Sequence, residues 1–543
     1  MIYKMKNRGI TLIALVVTVI VILVLAGISI SMLTGENGIL NRTAEAKEKT
    51  NDSQDLEYLK LKATEALMDY YQKNTTENED EYILDKWDAD KNNKIEVNSV
   101  DKTVTYNGKV YSIGDIVGNE SEKGKLEEEG LKRITVANAK NLEDKNLLSN
   151  GKVRIIVEEE NGMRAVIPNG FYYVTGKPSN GLVISDRYGD DDNNSKGGNQ
   201  FVWVPCSEET GATSSTTNGT EVTYEKVNGL AVTWKKYYSD KQYYYTKIPS
   251  GNNVGQEIVD WKDDGGNLNS IKKYKGFYIA RYEAGLPADE KLWSWKDNAT
   301  YGWTNGKEAG SLDGDRNTNI DAMTPVSKKN NASWNRVSQV NAVKLSKKMY
   351  EGSLVVTSSL VDSYAWDTII TWYTKTGINC SSSLGYGNYF DTVFGETTEK
   401  NKMSLKNVLY AVHTYNLDNG WVTLDKKYHL ITNDIGYSEI DSKKEEKDRI
   451  KTVYEIATGS SDYCRKNNIY DLAGNMWEWT MEIGNHSIDS SNSTGKSESY
   501  AVRRGGCIVD GGGYSPVSIR DGYANASKGY HSIGFRVVLY LEQ

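Results

Sequence analysis

The sequence predicts an α+β protein: a long apolar helix near the N-terminus, a small β-rich intermediate module, and a large head of short strands and two helices. Three observations predict it. Residues 10–30, bounded by Ile10 and Ile30, carry no charge. Apolar residues then recur mostly every three or four positions as far as Tyr70. From about residue 165 the texture changes to short strand-like runs, with helical periodicity returning in only two places.

The N-terminal helix comes first. Lys4, Lys6 and Arg8 stand in a short leader, residues 1–9, just before the apolar run. Its 21 residues, at about 1.5 Å each, cross a bilayer core as a helix. Basic residues on the short N-terminal side stay cytoplasmic, which puts the head outside the cell and anchors the protein in the membrane. The run is longer than the 7–15 residue core of a secretory signal. Leu56, Leu59, Ala63, Ala66, Leu67 and Tyr70 then form one apolar stripe. A transmembrane and stalk helix is therefore expected over 10–75, ending near Tyr71.

The segment KNRGITLIALVVTVIVILVLAG resembles the prepilin cleavage and methylation motif of type IV pilins. That resemblance implies a prepilin peptidase as partner, cutting after Gly9 and leaving Ile10 as the new N-terminus. Pilins usually carry glutamate at the fifth mature position, where this chain has Ala14. An intramembrane carboxylate is useful only when paired. Ala14 argues against ordinary filament packing, and pilin-like assembly stays open.

Composition excludes several classes. The formal net charge is -8 and basic pairs are isolated, so no nucleic-acid partner is expected. Cys206, Cys380, Cys464 and Cys507 lie far apart, and the chain has four histidines. No metal-ligand spacing results, and no metal site is expected. An outside location permits disulfides, with all three full pairings open. Asp88, Asp90 and Asn92 alternate as in a calcium loop. Asn93 and Ser99 stand where such a loop needs glycine and glutamate. A polar turn is expected there. Calcium is possible but not favoured, and no cofactor is expected. Tyrosine (37) and tryptophan (13) far outnumber phenylalanine (6), which suits half-exposed rings with a polar handle.

The remaining elements follow in order. Residues 76–132 read as a small module and linker, with a hairpin over 104–113 turning at Asn107-Gly108. Residues 120–132 look like a linker or short helix, and 133–164 a strand-rich connector. The head, 165–543, has strand-like runs at 170–174, 181–186, 201–205 and 276–285. A polar insertion at about 207–270 is expected to form loops or a hairpin. A helix is predicted over 334–350, capped by Ser333, and another over 360–372, with Trp366, Ile369 and Ile370 inward.

Several signatures fall in order in the head: FYIARYEAG at 277–285, SWNRVSQVNAVKLSKKMY at 333–350, YDLAGNMWEWTMEI at 470–483, RRGG at 503–506 and GFRVVL at 534–539. Together they resemble the formylglycine-generating-enzyme (sulfatase-modifying factor) family, a branch of the C-type-lectin-like fold. The resemblance covers about 165–543 and implies such a fold for the head. Its structural motif falls on Gly474, Asn475, Trp477, Trp479, Arg504, Gly505, Gly506, Gly534, Phe535 and Arg536. In an extended segment Trp477 and Trp479 share one face and Glu478 takes the other. The two arginines are expected to tie loops together through their five donors.

The same family works through two cysteines just beyond an RGGS motif, which bind copper and activate oxygen. Here RGGCIVDGGGYS puts Asp510 and Ser515 at those positions, and Cys507 in place of the serine. Soft metal chemistry needs soft ligands. No catalytic residue is therefore expected, and the protein is not expected to be an enzyme. Residues 510–532 are rich in Gly, Tyr, Ser, Asn and Asp, a composition suited to recognition. They resemble the variable C-terminal region of retroelement-diversified C-type-lectin-like proteins. Tyr514, Ser518, Asp521, Tyr523, Asn525, Ser527, Tyr530 and His531 are the expected contacts. The expected function is a surface-displayed, adhesin-like binding protein whose 507–532 loops meet a protein or glycan. The alternatives are a minor pilin or pseudopilin, and an enzyme of the resembled family with a non-standard site.

Overall fold

The computed structural model describes residues 50–73, 79–90, 94–117, 120–136, 138–206, 213–217, 220–227, 230–234, 265–286, 323–335, 337–396, 398–416, 420–424, 429–430, 440, 450–484, 500–526, 529–530 and 532–543. Gly9, Ile10 and the whole apolar run lie outside them. No described helix is long and apolar enough to cross a membrane.

The chain divides into two units, Met1–Thr76 and Glu77–Gln543. The described part of the first is one helix, Thr50–Lys73. Leu59, Ala63 and Ala66 of its apolar stripe are buried.

The second unit begins with a helix, Glu79–Ala89, which takes in Asp88 where a polar turn was expected. Strands Glu96–Asn98, Thr103–Tyr106 and Lys109–Ser112 follow as an antiparallel sheet. Asn107 (φ 50) and Gly108 (φ 77) make the hairpin turn, both in the left-handed region a two-residue hairpin requires. The segment after it takes the second of its two expected forms, a short helix. Helix Glu120–Glu128 buries Glu122, which takes a hydrogen bond from Arg154 Nη1 at 2.8 Å and one from the Tyr173 amide at 2.7 Å. A buried carboxylate needs such partners, so the segment is held to the head. Asp101 adds a second staple by accepting the Leu354 amide at 3.0 Å. The connector is a three-stranded sheet, Lys132–Ile134, Val153–Glu158 and Arg164–Pro168, plus helix Leu142–Leu148.

Two sheets of the head carry the site; a further four-stranded sheet pairs Leu409–Asn416 with Gly420–Leu424, His429–Leu430 and Ile450–Ile456. The strands of the two are β1 (Tyr172–Thr175), β2 (Val183–Ser185), β3 (Gln200–Pro205), β4 (Gly276–Ala280), β5 (Val356–Leu360), β6 (Trp477–Gly484), β7 (Tyr500–Arg504), β8 (Arg520–Asn525), β9 (Ile533–Phe535) and β10 (Val537–Leu541). The first sheet is antiparallel with order β5-β10-β4-β3-β2-β1. The second has order β8-β7-β6-β9, with β6 and β9 parallel.

Both faces of the larger sheet are covered, which explains its near-continuous apolar strands. Phe201, Trp203, Tyr278, Leu539 and Leu541 enter one core, together with Val340, Ala342 and Leu345 of helix α1 (Gln339–Lys348). Val202, Val204, Phe277, Ile279 and Val538 enter the other, with Trp366, Ile369 and Ile370 of helix α2 (Ser363–Lys375). Alternation along each strand sends neighbours to opposite cores.

Both predicted helices begin later than expected, for the same reason. Ser338, not Ser333, caps α1 by accepting the Asn341 amide, and Asp362 caps α2 by accepting the Ala365 amide. Ser333 is spent on Glu283 instead. The insertion carries an antiparallel sheet, Thr213–Thr217, Thr220–Val227 and Leu230–Trp234, and a helix, Gly265–Tyr274.

The two sheets are joined at Arg536, the single residue between β9 and β10. Fully buried, it donates to both Glu478 oxygens on β6, at 2.6 and 3.0 Å. It also donates to the Ala280 carbonyl at the end of β4 (3.0 Å) and to the Tyr470 carbonyl (2.9 Å). Glu283 and Asp471 are also buried nearby. Burial, then the Asp471 and Glu478 charges, push Glu283 well above the usual carboxylate range. Burial also pushes Asp471 up to about 6, against the Gly459 amide and the pull of Arg536. The folded head therefore holds protons that the unfolded chain releases. These carboxyls favour folding below the ordinary carboxylate range, and that stability is lost as pH rises through about 6 and on until Glu283 ionises.

Two expectations follow. The denaturation midpoint should fall from about pH 5 to about pH 8, and Glu283→Gln should flatten that slope; an unchanged slope would refute the assignment of Glu283. Arg536→Met should cost about 3–5 kcal/mol in urea unfolding, because it strands Glu478, and adding Glu478→Gln should recover part of it.

Candidate ligand-binding site

The YDLAGNMWEW segment runs through this centre and is buried along its whole length. Gly474 (φ 75) lies so close to Asn388 that a Cβ would meet its carbonyl oxygen at 2.4 Å. Asn475 (φ 58) is fully buried: its side chain donates to Glu283 at 2.8 Å, and its amide donates to the Asn388 carbonyl at 2.7 Å. In β6, Trp479 donates its indole N–H to the Val337 carbonyl at 2.8 Å, and Trp477 lies under the Arg503 guanidinium at 4.5 Å. Glu478 points the other way, to Arg536. Gly534 and Phe535 form β9 beside β6, with Phe535 buried. Arg504 on β7 is buried and pairs with Asp367 of α2 at 2.6 Å. All ten motif residues thus serve the framework.

After β7 the chain enters the expected binding loop through Gly505 (φ 88) and Gly506 (φ 75). A Cβ on Gly506 would meet the Ser515 carbonyl oxygen at 2.4 Å and the Tyr389 ring at 2.8 Å. The loop is laced to a second loop, residues 380–392. Tyr389 Oη donates to the Gly505 carbonyl (2.7 Å) and the Phe390 amide to the Asp510 carbonyl (3.0 Å). Asp391 accepts the Gly512 amide (2.9 Å), and Ser383 Oγ accepts the Val517 amide (2.8 Å). Two apolar side chains project from this double loop: Tyr514, 90% exposed, and Leu384, 53% exposed. Leu384 lies beside the segment that leads into Tyr514: a Cβ on Gly512 or Gly513 would fall within 4 Å of its side chain.

The eight expected contacts have different placements. Tyr514 is at the tip. Ser518 is buried and donates to the Cys380 carbonyl at 2.6 Å, so it fastens the loop rather than facing a ligand. Asp521 is half-buried on β8 and pairs with Arg503 at 2.8 Å. Tyr530 lies half-buried against Trp479, ring centroids 6.0 Å apart. Tyr523 and Asn525 belong to β8, with side chains outside the described part. Ser527 and His531 lie outside the described residues. Tyr514 is exposed where Tyr530 is half-buried. The 380–392 loop was missed; its GYGNYFD run has the same Gly, Tyr, Asn and Asp content, a signal that was there to be read.

Where the resembled enzymes carry cysteines, the loop has structural polar groups. Asp510 accepts the Cys507 amide at 3.0 Å, and burial raises its pKa. Ser515 closes the turn through its amide, which donates to the Gly511 carbonyl at 2.9 Å. The Cys507 thiol is buried, and burial together with Asp510 pushes it well above the ordinary range. A thiol held protonated is a poor nucleophile and metal ligand. Cys206, Cys380 and Cys464 are likewise buried and unpaired with one another. Among the described residues no three His, Cys, Asp or Glu side chains are grouped to hold a metal.

No family model matches the chain. No curated protein matches it. Among solved structures, the crystal structure of CarF is 12% identical and covers 56% of this chain and 97% of its own, at a TM-score of 0.25. Treponema denticola variable protein 1 is 12% identical over 60% of this chain and 98% of its own, at 0.22. The Major Tropism Determinant P3c variant is 12% identical over 82% and 94%, at 0.20. These scores are too low to establish a shared overall architecture. What the structure itself defines is an α+β head whose C-terminal loops are braced from beneath.

Two measurements check this geometry. Gly506→Ala should destabilise the head by about 1–3 kcal/mol through backbone strain alone, with more from the contact with Ser515. A thiol reagent should label none of the four cysteines in the folded protein and all four after denaturation; rapid native labelling of Cys507 would contradict its placement.

Proposed function

We propose that this chain is a non-catalytic, adhesin-like binding protein with a C-type-lectin-like head, displayed outside the cell on a pilin-like membrane anchor. The Tyr514–Leu384 tip meets a protein or glycan. The supporting observation is the pairing of a fully projecting tyrosine with a loop whose backbone is tied down at both sides. Rigid aromatic anchors on ordered loops contribute binding energy at low entropic cost. The buried, protonated thiol at Cys507 supports the non-catalytic reading, because the resembled chemistry needs two accessible thiolates.

The full chain, in detergent, is to be screened on a glycan array and an array of extracellular protein domains. A specific binder should lose at least about tenfold in affinity with Tyr514→Ala and less with Leu384→Ser, as hot-spot residues do. Cys507→Ser should leave binding unchanged. If no binder is found, or if binding ignores both tip substitutions, the reading fails. The anchor is tested separately: co-expression with a prepilin peptidase should yield a mature chain that begins at Ile10 by mass spectrometry. A retained leader would remove the pilin-like part of the proposal.

A further inference from the structure

A second concave site is lined by none of the residues of the two braced loops, although Lys466 of its hairpin lies over the Tyr386 ring of the bracing loop at 5.3 Å, and it plays no part in the function proposed above. Short chain segments surround an open cleft of about 390 Å³. Glu129 lines it from just beyond helix Glu120–Glu128, Lys177 and Asn180 from the segment after β1, and Arg465, Asn467 and Asn468 from a tight hairpin. No apolar side chain lines it. The volume is near the lower end of the roughly 300–1,000 Å³ of small-molecule sites, but the polar lining excludes the apolar ligands such sites usually take.

The lining is held in place by half of its own hydrogen-bonding capacity. Asn468 Nδ2 donates to the Gly181 carbonyl (2.8 Å), and Asn467 Nδ2 donates to Thr376 Oγ1 (3.0 Å). Asn180 Oδ1 accepts the Lys177 amide (3.0 Å). Asn467 (φ 44) and Asn468 (φ 62) form the left-handed turn of the hairpin that pairs Arg465–Lys466 with Ile469–Tyr470. Arg465 is fixed by Asp192 at 3.2 Å and lies over the Tyr470 ring at 5.6 Å.

The other half is unused. Among the described residues, the oxygens of Asn467 and Asn468, the Asn180 amino group, the Lys177 ammonium and the Glu129 carboxylate make no hydrogen bond or ion pair. Donors and acceptors are therefore mixed around one cleft. Formal charge is balanced too: the lining carries one Lys177 against one Glu129, and Arg465 shares Asp192 with the buried Arg281 and has Asp462 at 3.6 Å, two arginines against two carboxylates. A ligand that donates and accepts at each of several positions, without net charge and without an apolar face, matches this set. Those are the properties of adjacent hydroxyl groups on a sugar ring.

We infer that this cleft binds a neutral saccharide of one or two rings, held by Asn180, Asn467 and Asn468 with Lys177 and Glu129 at its edges. An open polar cleft trades water bonds for ligand bonds at little net gain, so each contact is weak.

The test uses saturation-transfer NMR on the full chain in detergent. The probes are a panel of neutral mono- and disaccharides, a uronic-acid disaccharide, and glutamate as a zwitterion. At least one neutral sugar should give ring-proton transfer that saturates with concentration. Lys177→Ala and Glu129→Ala, which break no described contact, should each weaken that sugar at least threefold. Tyr514→Ala should leave it unchanged, so failure here and failure at the loop tip are separable. Transfer to glutamate or the uronic sugar alone would overturn the assignment, as would transfer to no probe, or neutral-sugar binding indifferent to both cleft substitutions.

Discussion

The head depends on one guanidinium at a joint one residue long. Arg536 separates β9 from β10, so the chain leaves one sheet and enters the other across it. Its five donors reach Glu478 in the smaller sheet, the end of β4 in the larger, and the carbonyl of Tyr470. A planar fork can hold such divergent acceptors at once; an ammonium cannot. Burial works against its charge, yet Glu478 and the further Glu283 and Asp471 hold it protonated. With three carboxyls around one cation, the centre is neutral only while two of them, Glu283 and Asp471, hold protons, and burial raises both. Glu283 in turn accepts from Asn475, the residue that turns the chain into β6. The fork and the turn are thus one polar network.

Much of this was legible in the sequence, and the reasons differ by residue. The opposite facing of Trp477 and Trp479 against Glu478 follows from strand alternation alone. The Asn107-Gly108 turn follows from backbone sterics. The inward faces of α1 and α2 follow from helical period. What could not be read was where polar side chains spend their bonds. Ser333 and Ser338 are equally good caps in isolation; Ser333 is lost to Glu283, 50 residues away in sequence. Residues 120–132 read as a linker or short helix, because nothing local shows that Glu122 meets Arg154 and the Tyr173 amide. Long-range pairing of charges leaves no periodic trace.

The candidate site was half legible for the same reason. Composition identified the 507–532 segment as loop-rich and suited to contact. It could not separate the serine that fastens the loop, Ser518, from the tyrosine that projects from it, Tyr514. Both residue types favour recognition surfaces, and only the partner carbonyl of Cys380 decides between them. The bracing loop 380–392 lies more than a hundred residues upstream, so a window centred on the RRGG motif never includes it.

The same constraint explains why Asp510 and Asp391 stand where they do in the double loop. A loop that leaves a sheet through two left-handed glycines has lost helix and strand hydrogen bonds, and its buried amides need other acceptors. Asp510 supplies one to the Cys507 amide, and Asp391 supplies one to Gly512 from the facing loop. A thiolate at 510 would be a weaker acceptor than a carboxylate and would leave that amide poorly satisfied. The carboxylates of Asp510 and Asp391 therefore make the turn beneath Tyr514 a tied-down mount. A projecting aromatic ring needs such a mount if its contact area is to be converted into affinity rather than lost to the entropy of ordering a loop.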